Sequence, residues 1–223
     1  MKPFNLYDIL GVLAPGAVVT VGVMALFPEA AAILNNKDIS LGDLGLVVLV
    51  SYVTGNLVAA LGDILEGPYF AVFGGLPTQR VKKNGGSVIP KREFTSVETK
   101  LREVGLLNGE EAIAKLTGGE WHAVTRQMHT YLDARGRTGR IEMFNAQYGM
   151  NRGIAAGFCA LIVLLLVQQG WAHWQLMLIL FGCVVLAVIR MHRFGVYYAK
   201  ELFRQFLTAP AAIKTGSDNR DEE

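Results

Sequence analysis

The chain has 223 residues, 52% of them hydrophobic, a mean hydropathy of +0.33 and a formal net charge of +2. That apolar content is too high for a purely soluble domain, which needs more polar residues to clothe its surface. Charge is also blocked: long stretches almost free of it alternate with a centre dense in Lys, Arg, Glu and Asp, the pattern of a polytopic membrane protein.

Residues 9–27 form a first uncharged run of 19, bracketed by Asp8 and Glu29, long enough as a helix for a hydrocarbon core of about 30 Å. A cleaved signal peptide is the competing reading, because Lys2 precedes the run and small residues follow it at 30–32. The length of the run and Pro15 at its middle favour a span. Gly11, Pro15, Gly22 and Ala25 recur at about helical spacing and predict close helix contact, and Pro15 followed by Gly16 marks a kink or hinge. Residues 44–61 form a second uncharged run of 18, ending at Gly62 and Asp63.

After the second run comes the polar centre. Gly74, Gly75 and Pro77 open it, residues 80–92 read as a basic loop, and helical signals follow. Thr95 with Glu98, and Asn108 with Glu111, have capping-box spacing. A helix over residues 120–134 places Trp121, Val124, Met128, Tyr131 and Leu132 on one face and His122, Arg126, His129 and Asp133 on another. The histidines and the carboxylate line up along the helix, but Arg126 between them puts a cation where a metal would sit, so no metal and no cofactor is expected.

Residues 153–189 are an apolar stretch of 37, too long for one crossing. Gln168, Gln169 and Gly170 interrupt it beside Trp171 and Trp174, whose indoles favour the headgroup level. Two spans joined by a turn are the simplest solution, with a re-entrant hairpin as the alternative. Arg152 and Arg190 would snorkel toward one face. Gly153 and Gly157 form a small-xxx-small contact, and Cys159 and Cys183 read as packing residues inside the spans. Residues 190–207 mix basic and aromatic side chains, as in an amphipathic helix against the inner membrane surface or the cytoplasmic unit, and the polar tail from Pro210 is expected to be disordered.

The expected fold is an all-α polytopic membrane protein with four transmembrane helices and a small helical cytoplasmic domain between spans two and three. Its divisions are a first transmembrane hairpin (1–66), the cytoplasmic helical domain (67–151), a second transmembrane hairpin (152–190), and an amphipathic juxtamembrane helix with a disordered tail (191–223). Orientation follows from basic residues, which stay on the cytoplasmic side of span ends. Residues 67–152 hold 13 of the 21 and the segment after residue 189 holds six, whereas only Lys37 lies between the first two runs. Both termini and the central block are therefore expected in the cytoplasm of a cell with this inner (plasma) membrane.

Two candidate sites stand out. Tyr52, Asn56, Ala59, Asp63 and Glu66 share one stripe of the second span. Polar groups in hydrocarbon cost several kcal/mol unless satisfied, so the stripe should face protein, water or ions, either as interhelical hydrogen bonds or as the lining of a conduit in a homo-oligomer. Arg135, Arg137 and Arg140, spaced by Gly and Thr, are suited to gripping phosphate, lipid headgroups or a partner.

No Walker loop, HExxH, GxSxG or CxxC pair is present, so no catalytic residue is assigned and no enzyme is expected. The layout resembles, in organisation alone, many small bacterial membrane proteins, including effectors that permeabilise the inner membrane during antiviral defence. The reading is an oligomeric inner-membrane protein, channel-like or membrane-permeabilising, gated through a cytoplasmic domain that takes a protein or small-ligand partner but not nucleic acid. The alternative is a membrane anchor or scaffold that recruits a soluble partner through Arg135, Arg137 and Arg140.

Overall fold

The structure, a computed structural model, describes residues 6–27, 41–82, 88–107 and 112–210. Every described regular element is helical: α1 (Leu6–Leu26), α2 (Leu41–Val72), α3 (Pro77–Val81), α4 (Lys91–Glu103), a 3-10 turn (Ile113–Lys115), α5 (Gly118–Asp133), α6 (Gly139–Gln169) and α7 (Trp174–Thr208). Three of these, α2, α6 and α7, are long and apolar enough to cross a membrane, and α1 is a shorter apolar helix. At about 1.5 Å per residue, the 32 residues of α2 reach about 48 Å, well beyond a hydrocarbon core of about 30 Å. The surplus turns are where charge enters these helices.

The chain divides into two compact units, Met1–Leu76 with Arg140–Tyr198, and Pro77–Gly139 with Ala199–Glu223. In the first unit, α1 and α2 run antiparallel and touch backbone to backbone. A Cβ on Gly16 would collide with the Ser51 carbonyl, and one on Gly55 with the carbonyl of Val12. Helix α6 runs parallel to α1: Cβ atoms on Gly153 and Gly157 would stand 2.9 Å from Pro15 Cγ and 2.8 Å from Val19 Cγ2. Among lipid-soluble helices close approach of this kind supplies the dispersion contact that a hydrophobic drive cannot. The expected contact at Gly153 and Gly157 is thus present, and Gly22 meets Leu161 in the same way. Ala25, on the same expected stripe, is exposed.

Helix α1 continues through Pro15 without a break. The apolar stretch after residue 153 does break at Gly170–His173, where Gly170 takes φ 57°, a left-handed value that favours glycine. Trp171 and Trp174 at this turn are exposed, as an interfacial position requires. Cys159 and Cys183 are free thiols within α6 and α7.

The second unit is built on large side chains. Trp121 is fully buried, lies nearly parallel to Phe203 with ring centroids 6.0 Å apart, and donates its indole N–H to the Thr78 carbonyl at 2.8 Å. Val97, Leu101, Ile113, Met128, Leu132 and Phe206 complete the core. The apolar face read from residues 120–134 is the buried one, joined by Thr125, while Tyr131 is only half-buried. Residues 190–207 are not a separate helix: α7 runs uninterrupted from Trp174 to Thr208, and its last turns bring Leu202, Phe203 and Phe206 into this core.

Local details differ from the expected caps. Thr95 lies inside α4, with its hydroxyl donating to the Lys91 carbonyl, and the N-cap is Pro90 with no side-chain cap. The capping box that forms is Thr117 with Glu120: the Thr117 hydroxyl accepts from the Glu120 N–H at 3.3 Å, and the Glu120 carboxylate accepts from the Thr117 N–H at 2.6 Å. Arg80 and Val81 belong to α3, and Lys91 and Arg92 open α4, which narrows the expected 80–92 loop. The Asn108–Glu111 pair, Lys2, Lys37 and the tail after Pro210 lie outside the described residues.

Candidate functional site

Helix α2 has two unlike faces. Ser51, Gly55, Val58 and Gly62 recur at i, i+4, i+7 and i+11 and are buried against α1 and α6. Small residues are what allow the approach: Gly62 leaves room for Arg152 of α6, whose Cγ lies 3.2 Å from where a Gly62 Cβ would stand. One position along the sequence, Tyr52 and Asn56 occupy an exposed face together with Val53, Leu57 and Ile64. The Asn56 side-chain amide donates to the Tyr52 carbonyl at 2.8 Å, back along its own helix. Ala59 is half-buried between the two faces.

Toward the end of the apolar run, Asp63 and Glu66 both engage Arg152. One terminal nitrogen of the guanidinium is 2.6 Å from an Asp63 carboxylate oxygen, and the other pairs with Glu66. The Asp63 side chain is 63% exposed, whereas those of Glu66 and Arg152 are each 20% exposed. Two carboxylates on one guanidinium leave an excess of negative charge on the exposed member, Asp63. The Arg152 guanidinium is thus held by acidic partners rather than extended to the headgroups, while Arg190 is exposed and lies over the Phe194 ring at 5.6 Å. Beyond this group Tyr69 hydrogen-bonds His192 at 3.2 Å within a cluster that includes Phe70 and Phe73.

Pro15 and Gly16, read as a hinge, are both buried, and a Cβ on Gly16 would collide with the Ser51 carbonyl of α2.

Of the three arginines, two are engaged within the second unit. Arg135 stacks on the Tyr131 ring with its guanidinium carbon 3.5 Å from the centroid and donates to the Tyr131 carbonyl at 2.9 Å. Arg137 donates to the Thr208 hydroxyl at 3.2 Å. Lys100 joins them at the end of α7, donating to the carbonyls of Leu207, at 2.8 Å, and Ala209. Cations are favourable at a helix C-terminus, where the last carbonyls are otherwise unpaired. Burial lowers the Lys100 pKa; Glu103 opposes that, and Arg137 and Arg135 add to it. Arg140 begins α6 with its guanidinium 5.9 Å from the Phe144 ring. His122 and Arg126 are exposed, and the Asp133 carboxylate accepts from the Thr138 hydroxyl at 3.1 Å.

No family model, curated protein or solved structure matches this chain.

Sequence reasoning named Asp63, Glu66 and Arg152 but missed their pairing, and it missed Lys100. The first had a signal: two acids end one apolar run and a lone arginine begins another, and each needs an opposite charge. Lys100 had none, because its partners are backbone carbonyls.

Proposed function

We propose that the chain is a four-span inner-membrane protein that self-associates through the exposed face of α2 and forms a channel-like, membrane-permeabilising assembly, with the helical unit and both termini in the cytoplasm. The observation that carries this reading is the outward position of Tyr52 and Asn56, a polar pair in the middle of an apolar helix and turned away from the face that packs in the chain's own bundle. In hydrocarbon such a pair gains by meeting another copy or water. The exposed, excess negative charge at Asp63 would attract cations at the inner mouth.

A fourth span is supported by α1, whose uncharged stretch Gly11–Leu26 meets α2 at Val12 and Gly16 and α6 at Pro15, Val19 and Gly22. Four spans return both ends to one side, in agreement with the distribution of basic residues. The activity is conduction rather than catalysis, and the helical unit acts as the receiver of a protein or small-ligand signal. Anchoring of a soluble partner through Arg135, Arg137 and Arg140 is the weaker reading, since Arg135 is folded onto Tyr131 and Arg137 donates to Thr208 at the end of α7.

Planar-bilayer conductance of the purified protein tests the proposal. Wild type should pass current, and Asn56→Leu should abolish most of it. A wild-type current unchanged by Asn56→Leu would remove α2 as the lining, and a wild type silent both alone and with soluble cell extract supplying the signal would remove the conduit.

A further inference from the structure

One side of α7 changes character along its length. Ile179, Gly182, Leu186, Arg190, Arg193 and Tyr197 recur at helical spacing, and all are exposed. The stripe is uncharged as far as Leu186, then carries two cations, then a phenol.

These two arginines differ from Arg152, the guanidinium that Asp63 and Glu66 hold. Among the described residues no carboxylate pairs with Arg190 or Arg193, and α7 has no acid before Glu201. Rings fix them instead: Arg190 lies over Phe194 at 5.6 Å, and Arg193 donates to the Tyr197 hydroxyl at 3.2 Å. Phe144 of α6 backs both rings, with centroids 6.4 Å from Phe194 and 5.7 Å from Tyr197, and Arg140 lies over Phe144 at 5.9 Å. A ring takes the face of a guanidinium and leaves the N–H donors at its edge, so most of the donors of Arg190 and Arg193 remain for an outside acceptor.

Helix positions i and i+3 stand about 5–6 Å apart at Cβ, close enough for Arg190 and Arg193 to share one phosphate. Next to them, Leu186 and Ile189 are 65% and 50% exposed and call for hydrocarbon. A soluble phosphate ligand would match only the cationic part of the stripe. An anionic glycerophospholipid matches both parts, with its phosphate on the arginines and an acyl chain along Leu186.

We propose that this stripe of α7 binds an anionic glycerophospholipid through Arg190 and Arg193, taking phosphatidylglycerol in preference to phosphatidylethanolamine, whose ammonium offsets its own phosphate. The site rests on the reading of α7 as a span with Arg190 at the inner surface, and its test separates the two.

The full chain is reconstituted into bilayers containing either lipid with a diazirine on one acyl chain, irradiated, and the crosslinked peptides mapped. The phosphatidylglycerol probe should label Leu186 and Ile189 several-fold more than the ethanolamine probe, whereas the outward Val163 and Val167 of α6 should take both alike. Arg190→Gln with Arg193→Gln should remove the preference on α7 and leave α6 labelling unchanged. On the wild type, raising salt from about 0.1 M to about 1 M should shrink the preference, because exposed charges are screened. Equal labelling of α7 by the two lipids, a preference that survives the double variant, or one that salt leaves unchanged overturns the proposal. So does labelling of Val163 and Val167 with none on α7, the result expected if a second copy of the chain covers the stripe. Loss of labelling on both helices removes the membrane reading and the proposal with it.

Discussion

Where α1 meets α2 the contact is backbone against backbone at Gly16, Ser51 and Gly55; in the second unit Trp121 lies flat on Phe203, and Leu101, Ile113 and Met128 fill the space around them. One unit is held by what is missing from its side chains and the other by their bulk. On the proposed membrane placement, the difference follows from solvent. Between helices in lipid, hydrocarbon gains nothing by leaving its surroundings, so association depends on close fit and polar pairing, here Arg152 with Asp63 and Glu66. In water, burying aromatic area is itself the drive. Opposite substitutions should therefore break the two units.

The largest effect is expected from truncating the second core. Trp121→Ala removes a fully buried indole and its hydrogen bond to Thr78, and should cost about 3–5 kcal/mol, read as loss of near-UV circular dichroism and earlier thermal unfolding. Next comes enlargement in the bundle. Gly16→Ala, whose new methyl would meet the Ser51 carbonyl, should cost about 1–3 kcal/mol in a detergent-denaturation titration. Gly182→Ala in α7 has nothing within 4 Å of its Cβ and should lose nothing by the same assay. Equal losses for the two glycines would show that close fit is not what holds the bundle.

The smallest effect concerns the cap of α5. Thr117→Ala should cost about 1 kcal/mol. The Thr117 N–H, and then its hydroxyl, hold the Glu120 carboxyl below its ordinary pKa. Because the folded value lies below the unfolded one, near 4.3 for a glutamate, this stabilisation is present above that pH and is lost as pH falls through the folded value. Glu120→Gln should flatten that acid-side slope in an equilibrium unfolding series.

Much of the fold was legible because it depends on runs of composition: the apolar stretches, the break at Gly170, and the buried face of α5 all follow from spacing along one helix. The Tyr52–Asn56 stripe was legible for the same reason. Its neighbour, the Ser51, Gly55, Val58 and Gly62 stripe that does the packing, was overlooked, because small residues carry no chemistry of their own and matter only through what approaches them. Gly118 and Gly119 follow the Thr117 cap and look like helix breakers, while Thr95 has the right spacing in a place already inside a helix. The continuation of α7 to Thr208 was hidden by its change of character near Arg190, which marks a change of surroundings rather than an end of the helix.

That continuation sets an order on biosynthesis. Leu202, Phe203 and Phe206 close a core whose other members are made much earlier, with roughly 70 residues between the end of α5 and Phe206. At about 5–20 residues per second the ribosome needs about 4–14 s to supply them. For that interval the Trp121 face of the nascent unit has no Phe203 to cover it, and synthesis of α6 and α7 must finish before the unit can close.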